Sequence, residues 1–368
     1  MSHIHRLNFS AHEQQQLRSL IYGTTSSFTL LLKQLEYPLN YLVATGYLVL
    51  RAAGDLQDCK APYALKQERF REFERLLRHS SSITDSLRYF EEESSPGLTA
   101  HKTMLLTPKA LDLWQCLHRL PPEVKEPLLH QAQIMLRGLV RFSDPEGEPF
   151  VPYEELCILH KEADFNAYCA AVAGTGAHFF TWAAIDFYNI EPTLAATLAD
   201  EADIFGRALH KVRLIRDFPD DIARGRCFFP YEWMQQTGEY PFQLQGAGSR
   251  WNCTVVESAW EELKQAVSFI RFLPPSALNY KTFCLAAVVP AYYFLKYALQ
   301  YQHKLFSSSR ISLPWPLKAR AAREARSLAA EDATFDHYFR EFDKKLEGAL
   351  AKQTSAPLMV STANKKWL

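Results

Sequence analysis

Apolar residues recur along almost the whole chain at helical spacing, as in Phe28, Leu31, Leu32 and Leu35, which fall at i, i+3, i+4 and i+7. Strand-like alternation is scarce. The pattern predicts helices over roughly 11–22, 26–36, 38–58, 66–78, 82–92, 108–118, 122–141, 153–188, 192–224, 255–271, 278–305, 316–328 and 332–352, and so an all-α protein. Clusters of Pro, Gly and Ser place loops at 94–107, 143–152, 236–252 and 307–316, none of which reads as an interdomain linker. One domain is expected over 11–351, between a flexible start at 1–10 and a mobile tail at 352–368.

Composition narrows the class. A 48% hydrophobic content in 368 residues is ample for a buried core. Lys plus Arg and Asp plus Glu both number 41 without a long block of one sign, which argues against a nucleic-acid surface and makes any phosphate recognition local. The seven cysteines are odd in number, scattered and never in CxxC spacing. That argues against a disulfide framework and a zinc site and fits a reducing cytoplasm. The N-terminus, Met-Ser-His-Ile-His-Arg, lacks the apolar core of a secretory signal. The longest uncharged apolar run, Cys284 to Leu295, has 12 residues and contains Pro290. A spanning helix needs about 20, so a buried core helix is expected; peripheral membrane contact and the oligomeric state stay open.

Two segments stand out. Tyr168 to Ala177 is dense in Ala and Gly within an apolar helix, and each helical Gly costs about 1 kcal/mol relative to Ala. Such a stripe calls for close helix packing or for a flat wall beside an apolar ligand. The second segment, Arg216 to Arg226, carries Asp217 and Asp221 four apart on one helix face, followed by Arg224 and Arg226. Mg²⁺ takes one or two protein carboxylates together with substrate phosphate oxygens, and guanidinium matches phosphate bidentately. The pattern therefore suits a magnesium diphosphate. The plainer reading is a solvated helix end with Arg213–Asp217 and Arg216–Asp220 ion pairs worth a few tenths of a kcal/mol each. Pro219 removes one helix hydrogen bond and is expected to kink this segment. No HExxH, GxSxG, P-loop or dinucleotide fingerprint is present.

Several segments in fixed order resemble the squalene and phytoene synthases, which join two prenyl diphosphates head to head. Thr25-Ser-Ser-Phe28 is similar to that family's opening Ser-Arg-Ser-Phe helix, and Tyr47 to Asp58 to its first aspartate helix. Tyr168-Cys169 through Val172-Ala-Gly174 resembles its central helix, and Arg216 to Pro230 its second aspartate helix. Phe283-Cys284 with Pro290 more weakly resembles a late core helix. The resemblance implies an isoprenoid-synthase-type bundle whose central apolar cavity has the aspartate helices facing each other at one end. It implies Mg²⁺ on Asp58, Asp217 and Asp221, and diphosphate contacts from Arg51, Arg213, Arg216 and Arg226. Phe28 and Ser27 would lie against the substrate, and Tyr168 and Tyr47 near the reacting carbons. NADPH is needed only for the squalene branch and stays unresolved.

The chain departs from the family pattern at the first site. Gly54 stands where an aspartate is usual, Asp55 is shifted by about 100° around the helix, and Gln57 and Cys59 replace acidic residues. Ser26 replaces the family's arginine, so a cation and an anion are missing together, as charge balance in a partly buried place favours. Arg213 stands where an Asn is usual in squalene synthases. Three readings follow: head-to-head condensation of farnesyl-class diphosphates; a divergent reaction of a single prenyl diphosphate; or a non-catalytic isoprenoid-binding relative.

Overall fold

The computed structural model describes residues 2–24, 26–59, 61–92, 104–240, 250–301 and 310–354. Helices dominate, as the periodicity predicts. They are α1 (Ala11–Thr24), α2 (Ser26–Leu32), α3 (Leu39–Gln57), α4 (Tyr63–Arg78), α5 (Ile83–Glu92), α6 (Leu111–Arg119), α7 (Pro122–Arg141), α8 (Glu162–Cys169), α9 (Thr175–Tyr188), α10 (Pro192–Ile222), α11 (Tyr231–Thr237), α12 (Arg250–Phe272), α13 (Leu278–Gln300), α14 (Trp315–Ala330) and α15 (Asp332–Thr354). The chain divides into two compact units. One comprises Met1–Pro145, Ala170–Gly206 and Pro274–Phe283, the other Glu146–Cys169, Arg207–Leu273 and Cys284–Leu368.

In the first unit α3, α7 and α9 pack on one another. Leu42, Val43, Leu48, Val49, Ala52 and Ala53 of α3 are fully buried, and Gly46 lets the Phe179 ring lie where a Cβ would meet it at 2.2 Å. Helix α1 opens with a capping box: Ser10 Oγ accepts from Glu13 N at 3.3 Å, and Glu13 Oε2 accepts from Ser10 N at 2.7 Å. The N-terminal segment expected to be flexible makes specific contacts instead. Ile4 is fully buried, and Asp186 Oδ2 accepts from Ser2 Oγ at 2.6 Å and from Ile4 N at 3.0 Å.

In the second unit the helix expected from residue 153 begins only at Glu162, because Phe150–Tyr153 (β1) and Leu156–Leu159 (β2) pair antiparallel across a two-residue turn. Glu154 sits there at φ 52. Arg226–Cys227 (β3) adds parallel to β2. Four-residue runs are too short for period alone to separate strand from helix. Helix α11 falls in a stretch where no helix was expected, for the same reason. Helix α15 runs to Thr354, past the expected start of the tail; residues 355–368 lie outside the described part.

Among the described residues one stretch, Pro275–Gln300, is long and apolar enough to cross a membrane, and 67% of its most apolar window is buried inside the protein. Phe283, Cys284, Leu285, Val288, Val289 and Tyr292 are all essentially inaccessible. This is the behaviour of a core helix.

The Ala/Gly stripe is a packing surface. Helix α8 passes into a π-helical turn, Ala170–Gly174, before α9 begins. A Cβ on Gly138 would lie 2.3 Å from Ala171 Cβ, and one on Gly206 would lie 2.4 Å from the Ala173 carbonyl oxygen. On Gly174 it would meet Asp203 Oδ1 at 2.2 Å. Backbones approach there as only glycine permits. Gly176 is different, with Leu50 Cδ1 no nearer than 3.7 Å.

Candidate active site

The predicted residues of the first motif lie in the first unit. Asp55 is almost fully buried on α3 and receives Arg51 Nη2 at 3.0 Å, one turn away. The shifted carboxylate thus neutralises Arg51 rather than standing in for the missing ligand. Gln57 Nε2 donates to the Phe142 carbonyl at 3.3 Å, which an ionised glutamate could not do. Lys66 Nζ donates to the Gln57 carbonyl at 2.7 Å, and Arg69 Nη1 to Cys59 Sγ at 3.4 Å. Asp58 caps α3, its N–H bonded to the Gly54 carbonyl at 3.2 Å. A Cβ at Gly54 would touch only Met135 Cε, at 3.8 Å. Space for a Cβ therefore remains where the family carries its carboxylate.

Phe28 stacks on Tyr47 with ring centroids 3.8 Å apart, and lies tilted against Phe180 and edge-on to Phe283, with centroids 6.0 Å apart in each case. Three of the four aromatics singled out from the sequence thus form one cluster, and Phe180 joins them. The side chain of Ser27, like that of Ser26, lies outside the described residues, as does Thr25.

The second motif lies in the second unit. Helix α10 continues through Pro219 to Ile222, and Pro219's own carbonyl accepts from Ala223 N at 3.1 Å. Gly225, at φ +76, makes the turn that L side chains resist, and its carbonyl accepts from Cys157 N at 2.9 Å. That turn delivers Arg226 into β3. Behind it Phe218, Phe229 and Trp251 pack at 5.6–6.0 Å and fix the helix end.

Asp217 and Asp221 are both buried, on one helix face. Arg216 grips Asp217 with both ends of its fork, Nε to Oδ1 at 2.9 Å and Nη2 to Oδ2 at 3.0 Å. Arg213 Nε reaches Oδ2 at 3.3 Å, and Arg310 Nε lies 3.6 Å from Oδ1. Burial by itself would raise the Asp217 carboxyl; the Arg216 hydrogen bond, with the charges of Arg216, Arg213 and Arg310, outweighs it and brings the group down to about 2. Arg224 Nη1 lies 3.3 Å from Asp221 Oδ1. The expected Arg216–Asp220 pair does not form: Arg216 turns to Asp217, and Asp220 is engaged by Arg310. Arg310 was invisible to motif reading because it lies some 90 residues along the chain.

Among the described residues no group of three or more His, Cys, Asp or Glu side chains is placed to hold a metal. The donor set still fits Mg²⁺, which needs only one or two carboxylates when phosphate oxygens and waters complete its octahedron. Asp217 and Asp221 supply two, and the arginines now on them are those that would turn to a diphosphate. Tyr168, on the last turn of α8, is 5% exposed and stacks on Phe228 with centroids 4.2 Å apart and planes 1° from parallel.

The described residues thus form a helical protein with a buried acidic pair inside a surrounding arginine set. The profile of the squalene/phytoene synthases matches residues 22–316, and the chain belongs to that family. A squalene synthase of Candida albicans is 27% identical over 217 residues, which take in 58% of this chain and 45% of the relative. The chain thus spans less than half the length of that relative. Among solved structures, TcSQS with the ligand BPH1237 superposes with a TM-score of 0.70 at 19% identity, over 92% of this chain and 98% of the other. A dehydrosqualene synthase in complex with a ligand gives 0.57 at 18% identity, over 86% and 97%. At these identities the likeness is one of fold.

Proposed function

We propose that the protein is a Mg²⁺-dependent transferase that ionises a farnesyl-class prenyl diphosphate and joins it head to head to a second prenyl unit. The observation that carries this reading is the buried Asp217–Asp221 face with its arginine set, in a chain of this family. Asp217 and Asp221 would hold the metal, and the family resemblance gives Asp58 of the first motif a metal-ligand role of its own; bound Mg²⁺ supplies charge neutralisation of the departing diphosphate. Arg213, Arg216 and Arg226 bind and orient the diphosphate, since charge-assisted forks are strongest where water is excluded. Phe28, Tyr47, Phe180 and Phe283 offer π faces to an allylic cation and apolar area to a prenyl tail, at about 25 cal/mol per Å² buried. Tyr168 stands at the reacting carbons. All seven cysteines are free thiols, in keeping with a cytoplasmic setting, and peripheral membrane contact would give access to apolar substrates and products.

The first motif favours a second reading, in which a single prenyl diphosphate is cyclised or passed to another acceptor. Arg51 is already neutralised by Asp55, and Gln57 and Cys59 make structural bonds. Incubating the purified protein with farnesyl diphosphate and Mg²⁺, then measuring diphosphate and organic-phase products, separates the two. C30 hydrocarbon or C30 diphosphate supports condensation, and C15 products support the divergent reaction. Absence of diphosphate release refutes both, and added NADPH shows whether a reductive step follows.

A further inference from the structure

His210 precedes Asp217 by seven residues and Asp221 by eleven, so it shares their face of α10, two turns upstream. It is only 6% exposed. Burying an imidazole costs more than burying the apolar side chains that fill α10 at Val212, Leu214 and Ile215. Its ring meets Tyr168 edge-on, centroids 5.5 Å apart and planes at 60°. Phe228 lies flat against the same phenol ring at 4.2 Å. Two separate elements, α10 and the segment after β3, therefore converge on the one tyrosine that α8 presents.

The backbone that carries His210 is itself anchored. The next residue, Lys211, is 3% exposed, reaches Glu262 at 3.0 Å and Ser258 Oγ at 3.0 Å on α12, and lies 5.2 Å over the Phe165 ring. Arg207 Nη2 holds the same glutamate at 3.0 Å. This turn of α10 has little freedom to slide, and neither has the imidazole it presents.

We propose that His210 is a positioning residue: its edge-on contact, together with the Phe228 stack, fixes the plane of Tyr168 for the reaction proposed above. The role in turnover rests on that functional reading; the restraint on the ring does not. The test uses the full-length protein with 3-fluorotyrosine incorporated, the Tyr168 resonance being assigned by its loss in Tyr168→Phe. A ring held against flipping gives two ¹⁹F lines, one for each placement of the fluorine, and a freely flipping ring gives one averaged line. The wild type and His210→Phe, which keeps an aromatic edge, are expected to show two lines, and His210→Ala one. In turnover with farnesyl diphosphate, His210→Ala is expected to lower kcat by about tenfold or more with KM within about twofold, because misplacing a reacting group acts on the chemical step. His210→Phe should return kcat to within about threefold of wild type. An unchanged pair of lines in His210→Ala overturns the proposal, as does His210→Phe behaving like His210→Ala. If the wild type releases no diphosphate the functional reading fails, while the ¹⁹F comparison still decides whether His210 restrains Tyr168.

Discussion

Restoring the carboxylate missing from the first motif, by Gly54→Asp, tests directly whether that site is weakened. The structure sets the magnitudes. A new Cβ meets only Met135 Cε, at 3.8 Å, so the first side-chain atom adds no overpacking cost. Replacing a helical Gly by Asp gains a few tenths of a kcal/mol in propensity. Placing a carboxylate one turn before Asp58 costs a similar amount through like-charge repulsion. The two nearly cancel, and the melting temperature should stay within about 2 °C of wild type. Function should change more. A second carboxylate facing Asp58 gives Mg²⁺ a two-ligand seat, and a gain of about 1.4 kcal/mol, or tenfold in affinity, is the scale expected of one added charged ligand near a surface. Titration calorimetry with Mg²⁺ and inorganic diphosphate reads this as a second binding event that tightens in Gly54→Asp and is weak in the wild type. Two equally tight, fully occupied diphosphate sites in the wild type, or no gain in a folded Gly54→Asp, would refute the reasoning.

Gly206→Ala, whose Cβ would fall 2.4 Å from the Ala173 carbonyl oxygen and 2.8 Å from Gly174 Cα, should destabilise by about 3 kcal/mol or more, since backbone must move. Gly176→Ala, with its nearest neighbour at 3.7 Å, should be neutral or stabilising by up to about 1 kcal/mol; denaturant midpoints compare the two. The acid limb of stability offers another check. Asp217 is held at about 2 against an ordinary 3.8, so its arginine cluster stabilises the folded state above about pH 4, and that contribution is lost as pH falls through about 2. The drop corresponds to about 2 kcal/mol, nearer 1 once the half-exposed arginines are discounted for screening. Metal-free Arg216→Gln should therefore be less stable than wild type at pH 7 and approach it by pH 2.5, and a pH-independent difference would contradict the assignment.

Much of this was legible in the sequence because the features are local. Helical period found nearly every helix, and the spacing of Asp217 and Asp221 put them on one face, where the structure has them buried. What escaped was set by distant contacts or by short elements. The strands at 150–159 carry too few residues for their period to show. Arg310 reaches Asp217 from far along the chain, and no local pattern marks it. His210 did leave a signal, standing seven residues before Asp217, but a single buried histidine is more often packing than site. Asp55 was visible as a misplaced acid, while its partner Arg51 was read as a diphosphate ligand; only coordinates show the two together at 3.0 Å.

The acidic face of α10 is the feature on which the proposed chemistry depends, and equilibrium binding of a non-ionisable farnesyl thiodiphosphate, with and without Mg²⁺, measures it apart from turnover. Wild-type protein should bind the analogue tightly only with Mg²⁺, and Asp217→Asn and Asp221→Asn should each weaken that binding by about 10²-fold or more, as loss of a charged ligand from a buried site implies. Binding that is indifferent to Mg²⁺, or unaltered in both variants, would contradict the assignment of this face as the metal–diphosphate site.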